Sequence, residues 1–221
     1  RTLASGMHSG LTGPSRPWFR LTTPDPDLAE FPEAKAWLHH VEVSMRQVIA
    51  RSNLYNIFPQ DYADLGSFGT ACLWLDEDPH TVFRAYLFPI GSYQLGAAGN
   101  QQIDSVYRRV SMRVAGVVDT FGYEHCTRRV QDLYRNSQLD SWILLAQCCE
   151  PNRTHDPQRP TSKAWINTWF ELDGGGEGGA RNFLRQSGYN GRPFAASRWN
   201  VAGEDTYGYS PGMDALGDQR A

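Results

Sequence analysis

Helical periodicity is clearest in the first quarter of the chain. Apolar residues recur at steps of three and four positions from Phe31 to Ser52, which predicts one long amphipathic helix. Its apolar stripe consists of Trp37, Val41, Met45 and Val48. Further helices are predicted at residues 3–13, 56–65, 112–121 and 128–134. Glycine readily follows a last helical turn, so Gly66 and Gly122 are the expected ends of two of them.

Strand signals dominate the remainder of the chain. Two apolar runs at residues 71–75 and 83–88 flank a polar stretch at 76–79, which is typical of a β-hairpin closed by a turn. Other strands are predicted at residues 92–95, 102–110, 142–149, 164–172, 183–186 and 194–201. Five glycines between Asp173 and Gly179 predict a flexible hairpin tip.

The order of these elements indicates the fold class. Helices come first, then hairpins, then helices, then more hairpins, so the strict alternation of a parallel doubly wound sheet is missing. We therefore expect an α+β fold in which N-terminal helices pack on antiparallel hairpins and sheets. Residues 1–69 would form a helical part, and residues 70–221 a mixed part.

Composition and motif content argue against several classes of binding partner. The 221 residues carry 21 Lys and Arg against 24 Asp and Glu, so the basic surface typical of a DNA-gripping protein is absent. The four cysteines have no C-x-x-C pair and no histidine at zinc spacing, and we interpret them as small hydrophobes. No phosphate-binding or zinc-protease motif occurs, so we expect no metal and no cofactor. No apolar run of 18 residues occurs, so we expect no membrane partner.

One motif suggests chemistry. The stretch Gly208-Tyr209-Ser210-Pro211-Gly212 matches G-x-S-x-G, the nucleophile elbow of serine hydrolases. In that elbow the residue after the serine donates its backbone N–H to the oxyanion hole, but Pro211 has no N–H. The catalytic histidine should follow the serine, whereas the last histidine is His155. We favour a turn that leads into a helix and expect no catalytic residue, with a hydrolase using Ser210 as the alternative.

Aromatic and basic residues are the remaining candidates for contact with a partner molecule. Large aromatic side chains anchor either a core or an interface, and the candidates here are Trp18, Phe19, Trp165, Trp169 and Trp199. Together with the glycines at 174–179, the tryptophans leave open a peptide- or carbohydrate-binding module. Arg108, Arg109 and Arg113 form a small basic cluster and are weak candidates for DNA contact.

Several stretches resemble one protein family, in the order expected for it. They are Leu3–Thr12, Arg16–Leu21, Asp64–Thr70, Pro89–Tyr93, Tyr107–Arg109, Val118–Gly122, Arg198–Trp199 and Gly203–Gly212. The ordered set resembles the head-to-tail connector, or portal, proteins of short-tailed bacteriophages and spans nearly the whole chain. The resemblance also accounts for the G-x-S-x-G match, because that family carries a Ser-Pro-Gly turn at this point.

The resemblance implies a structural role and no enzymatic activity. Portal subunits form a ring, usually of twelve copies, at one capsid vertex, where a terminase packages double-stranded DNA that is later ejected. Since the chain begins at Arg1 and not at Met, we interpret it as a fragment of a longer polypeptide. It would be the outward-facing wing of the subunit, and the channel-lining stem and the adaptor-docking clip would follow Ala221.

The same resemblance implies partners and a location. The partners would be other portal subunits, terminase, scaffold and capsid proteins, tail adaptor proteins and the DNA in the channel. The location would be the portal vertex of the virion, and the host cytoplasm during assembly, in a free phage or a prophage. The candidate residues for contact between subunits are Arg16, Trp18, Phe19, Arg20, Arg198 and Trp199.

Overall fold

Helices occupy the N-terminal part of the chain in the computed structural model, which describes residues 1–172 and 183–216. They are α1 (Thr2–Leu11), α2 (Pro26–Glu30), α3 (Pro32–Arg51) and α4 (Leu54–Phe68). The helices predicted at 3–13 and 31–52 are confirmed as α1 and α3. The short α2 begins with Pro26 after the Asp25 carboxylate, which accepts a hydrogen bond of 3.0 Å from the Asp27 amide.

The end of α4 differs from the prediction. Gly66 lies inside the helix, which continues to Phe68 and ends at Gly69, where φ is +74°. A Cβ atom on Gly66 would lie 2.8 Å from Cδ2 of Leu3. Gly66 therefore allows α1 to pack closely on α4, and Gly69 provides the left-handed conformation that ends the helix.

A three-stranded antiparallel sheet has the strand order β2–β1–β8. Its strands are β1 (Thr70–Asp78), β2 (Val82–Leu87) and β8 (Phe194–Arg198). The predicted hairpin of β1 and β2 is confirmed, but the turn predicted at 76–79 is wrong because β1 continues to Asp78, which pairs with Val82. The turn comes later because the Asp78 carboxylate accepts hydrogen bonds from the amides of His80 and Thr81.

Both faces of this sheet are covered near its centre. On one face, Leu54 at the start of α4 packs with Leu73 and Ala85. On the other face, the Trp74 ring stacks on the rings of Phe88 and Phe194, with centroid distances of 5.7 and 6.4 Å.

Asn53 anchors the junction of α3 and α4 to the edge strand β2. Its side-chain amide donates to the Ala85 carbonyl and accepts from the Ala85 amide, both at 2.8 Å. The side chain thus pairs with the strand as a neighbouring backbone would, and it fixes where α4 begins above the sheet.

Residues 89–193 form a second compact unit, inserted in the chain between β2 and β8 of the first. It contains a five-stranded antiparallel sheet in the order β3–β4–β5–β6–β7. The strands are β3 (Tyr93–Ala97), β4 (Ile103–Arg113), β5 (Trp142–Pro151), β6 (Trp165–Glu171) and β7 (Phe183–Tyr189). The subdivision predicted at residues 69 and 70 falls within the first unit, between α4 and β1.

Helices connect β4 to β5 and cover one face of this second sheet. They are α5 (Val114–Phe121), a 3₁₀ turn (Tyr123–His125) and α6 (Arg128–Arg135). The helix predicted at 112 starts two residues later because Met112 and Arg113 still pair with β5. Fully buried side chains of the shared core are Val114, Val117, Val130, Ile143 and Leu145.

The α+β fold class with antiparallel sheets is confirmed. The hairpin tip predicted at 173–179 lies outside the described residues. A last helix, α7 (Pro211–Asp214), follows Ser210, as the predicted turn into a helix requires. Within residues 1–172 and 183–216, every helix is too short or too polar to cross a lipid bilayer.

Candidate interaction surfaces

Two interface candidates, Arg16 and Trp18, make contacts within their own chain. The Arg16 guanidinium donates to the carbonyl oxygens of Gly10 and Ser9, at 2.8 and 3.4 Å, and so stabilises the C-terminal end of α1. The Trp18 indole N–H donates to the Tyr55 hydroxyl at 3.1 Å. These bonds fasten the segment between α1 and α2 to the end of α1 through Arg16 and to α4 through Trp18.

The neighbouring candidates differ in accessibility. The half-buried Phe19 ring packs edge-on against Trp18, with a centroid distance of 4.9 Å, whereas the Arg20 side chain is exposed. Arg198 donates to the Asp205 carbonyl at 3.3 Å. Trp199 donates its backbone N–H to the Gly69 carbonyl at 2.9 Å and leaves its indole partly exposed. Arg20 and Trp199 therefore present more accessible side chains than Trp18 or Phe19.

The three arginines predicted as a basic cluster do not share one face of the sheet. Side chains alternate along β4, so Arg109 and Arg113 lie on one face of the sheet and Arg108 on the other. Arg113 pairs with Asp140 at 3.1 Å and lies over the Trp142 ring at 5.6 Å from its centroid. Arg109 lies on the same face of the sheet as Arg113. It is exposed and forms no ion pair with another described residue.

The remaining aromatic candidates lie in the second unit. Trp169 packs against Phe121 in the core, with a centroid distance of 5.5 Å, and its role is structural. Trp165 is half-buried at the start of β6. Neither indole is among the large exposed hydrophobic side chains.

The G-x-S-x-G motif forms a close backbone contact, which we call the glycine clasp and define by Gly69, Thr70, Gly208, Ser210 and Gly212. Ser210 is only 1% exposed, and its hydroxyl donates to the Ser67 carbonyl at 2.9 Å and accepts from the Met213 amide at 3.2 Å. The Gly208 amide donates to the Thr70 hydroxyl at 2.8 Å. Ser210 therefore caps α7 and fastens the C-terminal tail to the junction of α4 and β1.

Ser210 does not have the geometry of a nucleophile. An elbow serine is exposed beside a general base, whereas this hydroxyl is buried and both of its hydrogen bonds go to backbone groups. In the part of the chain that the structure describes, no group of three His, Cys, Asp or Glu side chains is arranged to hold a metal ion.

The first surface is an apolar groove between α3, α4, β1 and β2, of about 510 Å³, which we call the α3 groove. Residues along it include Val41, Met45, Val48, Leu54, Leu75 and Phe83. Trp37 lies one helical turn before Val41 and is 65% exposed. The predicted apolar stripe of α3 therefore forms part of an open surface instead of a closed core.

A largely buried charged pair on another side of α3 explains why the apolar stripe faces the groove. Glu42 is the buried residue of α3, and its carboxylate pairs with Arg46 at 3.4 Å. Arg46 and Glu42 lie with Leu21 and Arg20 in a cleft under the segment that joins α1 to α2. The side of α3 that carries Glu42 and Arg46 therefore lies against the segment between α1 and α2. The side that carries Val41 and Met45 stays accessible along the groove.

The second surface is the face of the five-stranded sheet that α5 and α6 do not cover. Tyr107, Trp142 and Leu172 expose large side chains there, and Trp142 is 63% exposed. Tyr107 pairs with Cys148 and Arg109 with Ala146 across β4 and β5, so all four side chains share this face. We call it the open β4–β5 face.

Burial and the nearby Glu150 raise the pKa of the Cys148 thiol, which keeps it neutral.

Comparison with known proteins identifies the family. The family model of the bacteriophage head to tail connecting protein matches residues 1–221, the whole chain. The chain belongs to this connector family. The connector relatives include the portal protein of Salmonella phage epsilon15, 40% identical over 224 residues that cover all of this chain and 40% of the relative.

A second connector relative is the probable portal protein of Bordetella phage BPP-1. It is 37% identical over 222 residues, which cover all of this chain and 39% of the relative. The chain therefore spans about two fifths of the length of the curated relatives that it matches.

Sequence reasoning missed the two most exposed tryptophans of this connector chain. The sequence pattern places Trp37 in an apolar stripe and Trp142 in a buried strand, but both side chains are about two-thirds exposed. Periodicity cannot distinguish a stripe that faces a core from one that faces a partner, because both produce the same spacing. Alternation along β5 does indicate that Trp142 is exposed. Side chains alternate between the two faces of a strand, so Trp142 and Leu144 face away from the buried Ile143 and Leu145.

Proposed function

We propose that this chain is the outward-facing wing of a phage portal subunit, and that it works by fitting beside copies of itself in a ring of usually twelve. The ring surrounds the channel through which double-stranded DNA is packaged and later ejected. Membership of the connector family and the names of the two relatives support this role.

Two accessible apolar surfaces on this member of the connector family support the proposal most directly. A closed ring uses head-to-tail contacts, in which one face of a subunit meets a different face of the next. The α3 groove and the open β4–β5 face are two such different faces. Large aromatic side chains like Trp37 and Trp142 are typical anchors of protein interfaces.

The charge of the chain supports a position away from the DNA. The formal net charge is −3, and Arg113 and Arg129 are neutralised by Asp140 and Glu171 of the same chain. A surface of this kind neutralises few phosphates, so the DNA is contacted mainly by other parts of the complete subunit. Terminase, scaffold and capsid proteins, and tail adaptors are the further partners of the complete ring at the virion vertex.

The direct test uses the complete gene product that carries this chain. Purified protein is examined by native mass spectrometry and electron microscopy, and a closed ring with a central channel is expected. In parallel, a phage with a stop codon in this gene should assemble heads that contain no DNA, and a plasmid copy of the gene should restore packaging. A protein that stays monomeric, or a mutant phage with filled heads, overturns the proposal.

A further inference from the structure

We propose that the α3 groove of one copy receives the open β4–β5 face of the neighbouring copy, with Glu77 of the first copy paired with Arg109 of the second. The inference rests on the proposed function, because it specifies which surfaces meet in the ring. Its basis is the chemistry of the two surfaces, each of which combines an apolar area with an exposed charged side chain that forms no ion pair with a described residue. The open face also carries Glu150, whose carboxylate accepts a hydrogen bond of 3.3 Å from the Tyr107 hydroxyl.

The groove supplies an apolar recess. It lies where the side of α3 that carries Val41 and Met45 faces the β1–β2 hairpin, and Leu54 and Phe83 also contribute to its lining. Met45 and Leu75 are 42% and 36% exposed, so the recess is open to a partner. Exposed apolar area of this kind is stabilised when another apolar surface covers it.

The open face supplies the matching apolar projection. Trp142 stands at the start of β5 with most of its ring exposed, and Tyr107 and Leu172 add further exposed apolar area on the same side of the sheet. The Trp142 ring is oriented by Arg113, whose guanidinium lies over it. A rigid, pre-oriented aromatic side chain loses little conformational entropy on entering a recess.

The charges beside the two surfaces are complementary. Glu77 follows Leu75 by two residues on β1 and pairs across the hairpin with Phe83, so its carboxylate lies on the groove side. Arg109 follows Tyr107 by two residues on β4 and shares the open face. Both side chains are exposed, and neither forms an ion pair with another described residue.

The same charges disfavour a symmetric contact between two grooves. A groove-to-groove dimer would bring two Glu77 carboxylates to one interface, and it would place one recess against another. The contact of groove with open face instead pairs opposite charges and joins a recess to a projection. Such a contact is head-to-tail, so it can continue around a ring, and the charged pair sets its register.

The test uses rings of the complete gene product and a short bismaleimide crosslinker, in a background whose accessible native cysteines are replaced by alanine. Cys148 is among them because it lies on the open β4–β5 face, where it would react with a thiol at position 77 of the neighbouring copy. The double variant Glu77→Cys with Arg109→Cys is expected to give a ladder of covalent oligomers on a denaturing gel. Each single variant, tested alone, is expected to remain monomeric. The matched control combines Glu77→Cys with Tyr134→Cys, because Tyr134 is similarly exposed on α6, which covers the other face of the sheet.

A charge exchange provides a second measurement. Glu77→Arg alone is expected to reduce the assembled fraction severalfold at low salt, and the added Arg109→Glu is expected to restore it. Rings that form in the electron microscope without a crosslinked ladder overturn this inference and leave the proposed function standing. Covalent dimers from Glu77→Cys alone overturn it in favour of groove-to-groove contact, and a gene product that forms no ring overturns both proposals.

Discussion

Gly69 and Gly208 approach each other so closely that a Cβ atom on Gly69 would lie 2.2 Å from the Gly208 carbonyl oxygen, and one on Gly208 would lie 2.1 Å from the Gly69 carbonyl oxygen. Gly69 also has a φ of +74°, which favours glycine. The contact joins the end of α4 to the C-terminal tail, segments about 140 residues apart in the sequence. These two glycines are therefore the part of the glycine clasp that the fold depends on most directly.

Gly208→Ala is predicted to destabilise the chain strongly, by about 3 kcal/mol or more, because backbone atoms on both sides must move apart to admit the methyl group. Urea unfolding of the 221-residue chain, followed by circular dichroism, measures the loss. Gly191→Ala is the matched control, since a Cβ atom there would meet no atom within 4 Å. A Gly208→Ala variant as stable as the control would contradict the close contact.

Ser210→Ala is predicted to cost about 1–2 kcal/mol, because the change removes the cap of α7 and the hydrogen bond to the Ser67 carbonyl. Ser44→Ala, on the exposed side of α3, should change the free energy of unfolding by less than about 0.5 kcal/mol. A fluorophosphonate probe should leave the wild-type chain unlabelled. Stable labelling of Ser210 would instead support the hydrolase hypothesis.

Asp61→Asn is predicted to stabilise the chain at pH 8 but not at pH 4. Burial, reinforced by the Asp64 carboxylate, raises the pKa of Asp61 from 3.8 to about 6, and its Oδ1 atom has no hydrogen-bond partner. A carboxyl whose pKa is raised by folding contributes stability below its unfolded pKa, and that contribution is lost as the pH rises through about 6.

The expected gain from Asp61→Asn at pH 8 is about 3 kcal/mol, since the pKa shift is about two units and each unit corresponds to about 1.4 kcal/mol. Melting temperatures measured from pH 4 to pH 8 should converge at the acidic end. The exposed Asp119→Asn is the control and should follow the wild type throughout. Equal effects of Asp61→Asn at both ends of the range would show that its charge is not the cause.

The sequence was sufficient to predict the fold class and most elements, because helical and strand periodicities of this chain are strong. It could not predict that Gly66 packs against Leu3, since a glycine at a helix end and a glycine at a helix contact look alike in one sequence. The accessible surfaces were missed for a related reason. Exposure of Trp37 and Trp142 depends on which elements cover them, and no local pattern contains that information.

The carboxylate of Glu171 lies fully buried at the end of β6, where it accepts hydrogen bonds from the Thr127 hydroxyl and, at 3.0 Å, from Arg129. Arg129→Met removes the cation and leaves a buried charge with one partner. The predicted cost is about 1–2 kcal/mol, less than for a fully buried pair, because the Arg129 side chain is 43% exposed. The added change Glu171→Gln removes the uncompensated charge and should recover most of that loss, which a double-mutant cycle of urea unfolding measures.

Arg135→Met is the control, because its pair with Asp132 spans 3.7 Å between two exposed side chains and should contribute little. If the double variant is less stable than Arg129→Met alone, the carboxylate is stabilised by groups other than Arg129, and the assigned role of this ion pair is wrong.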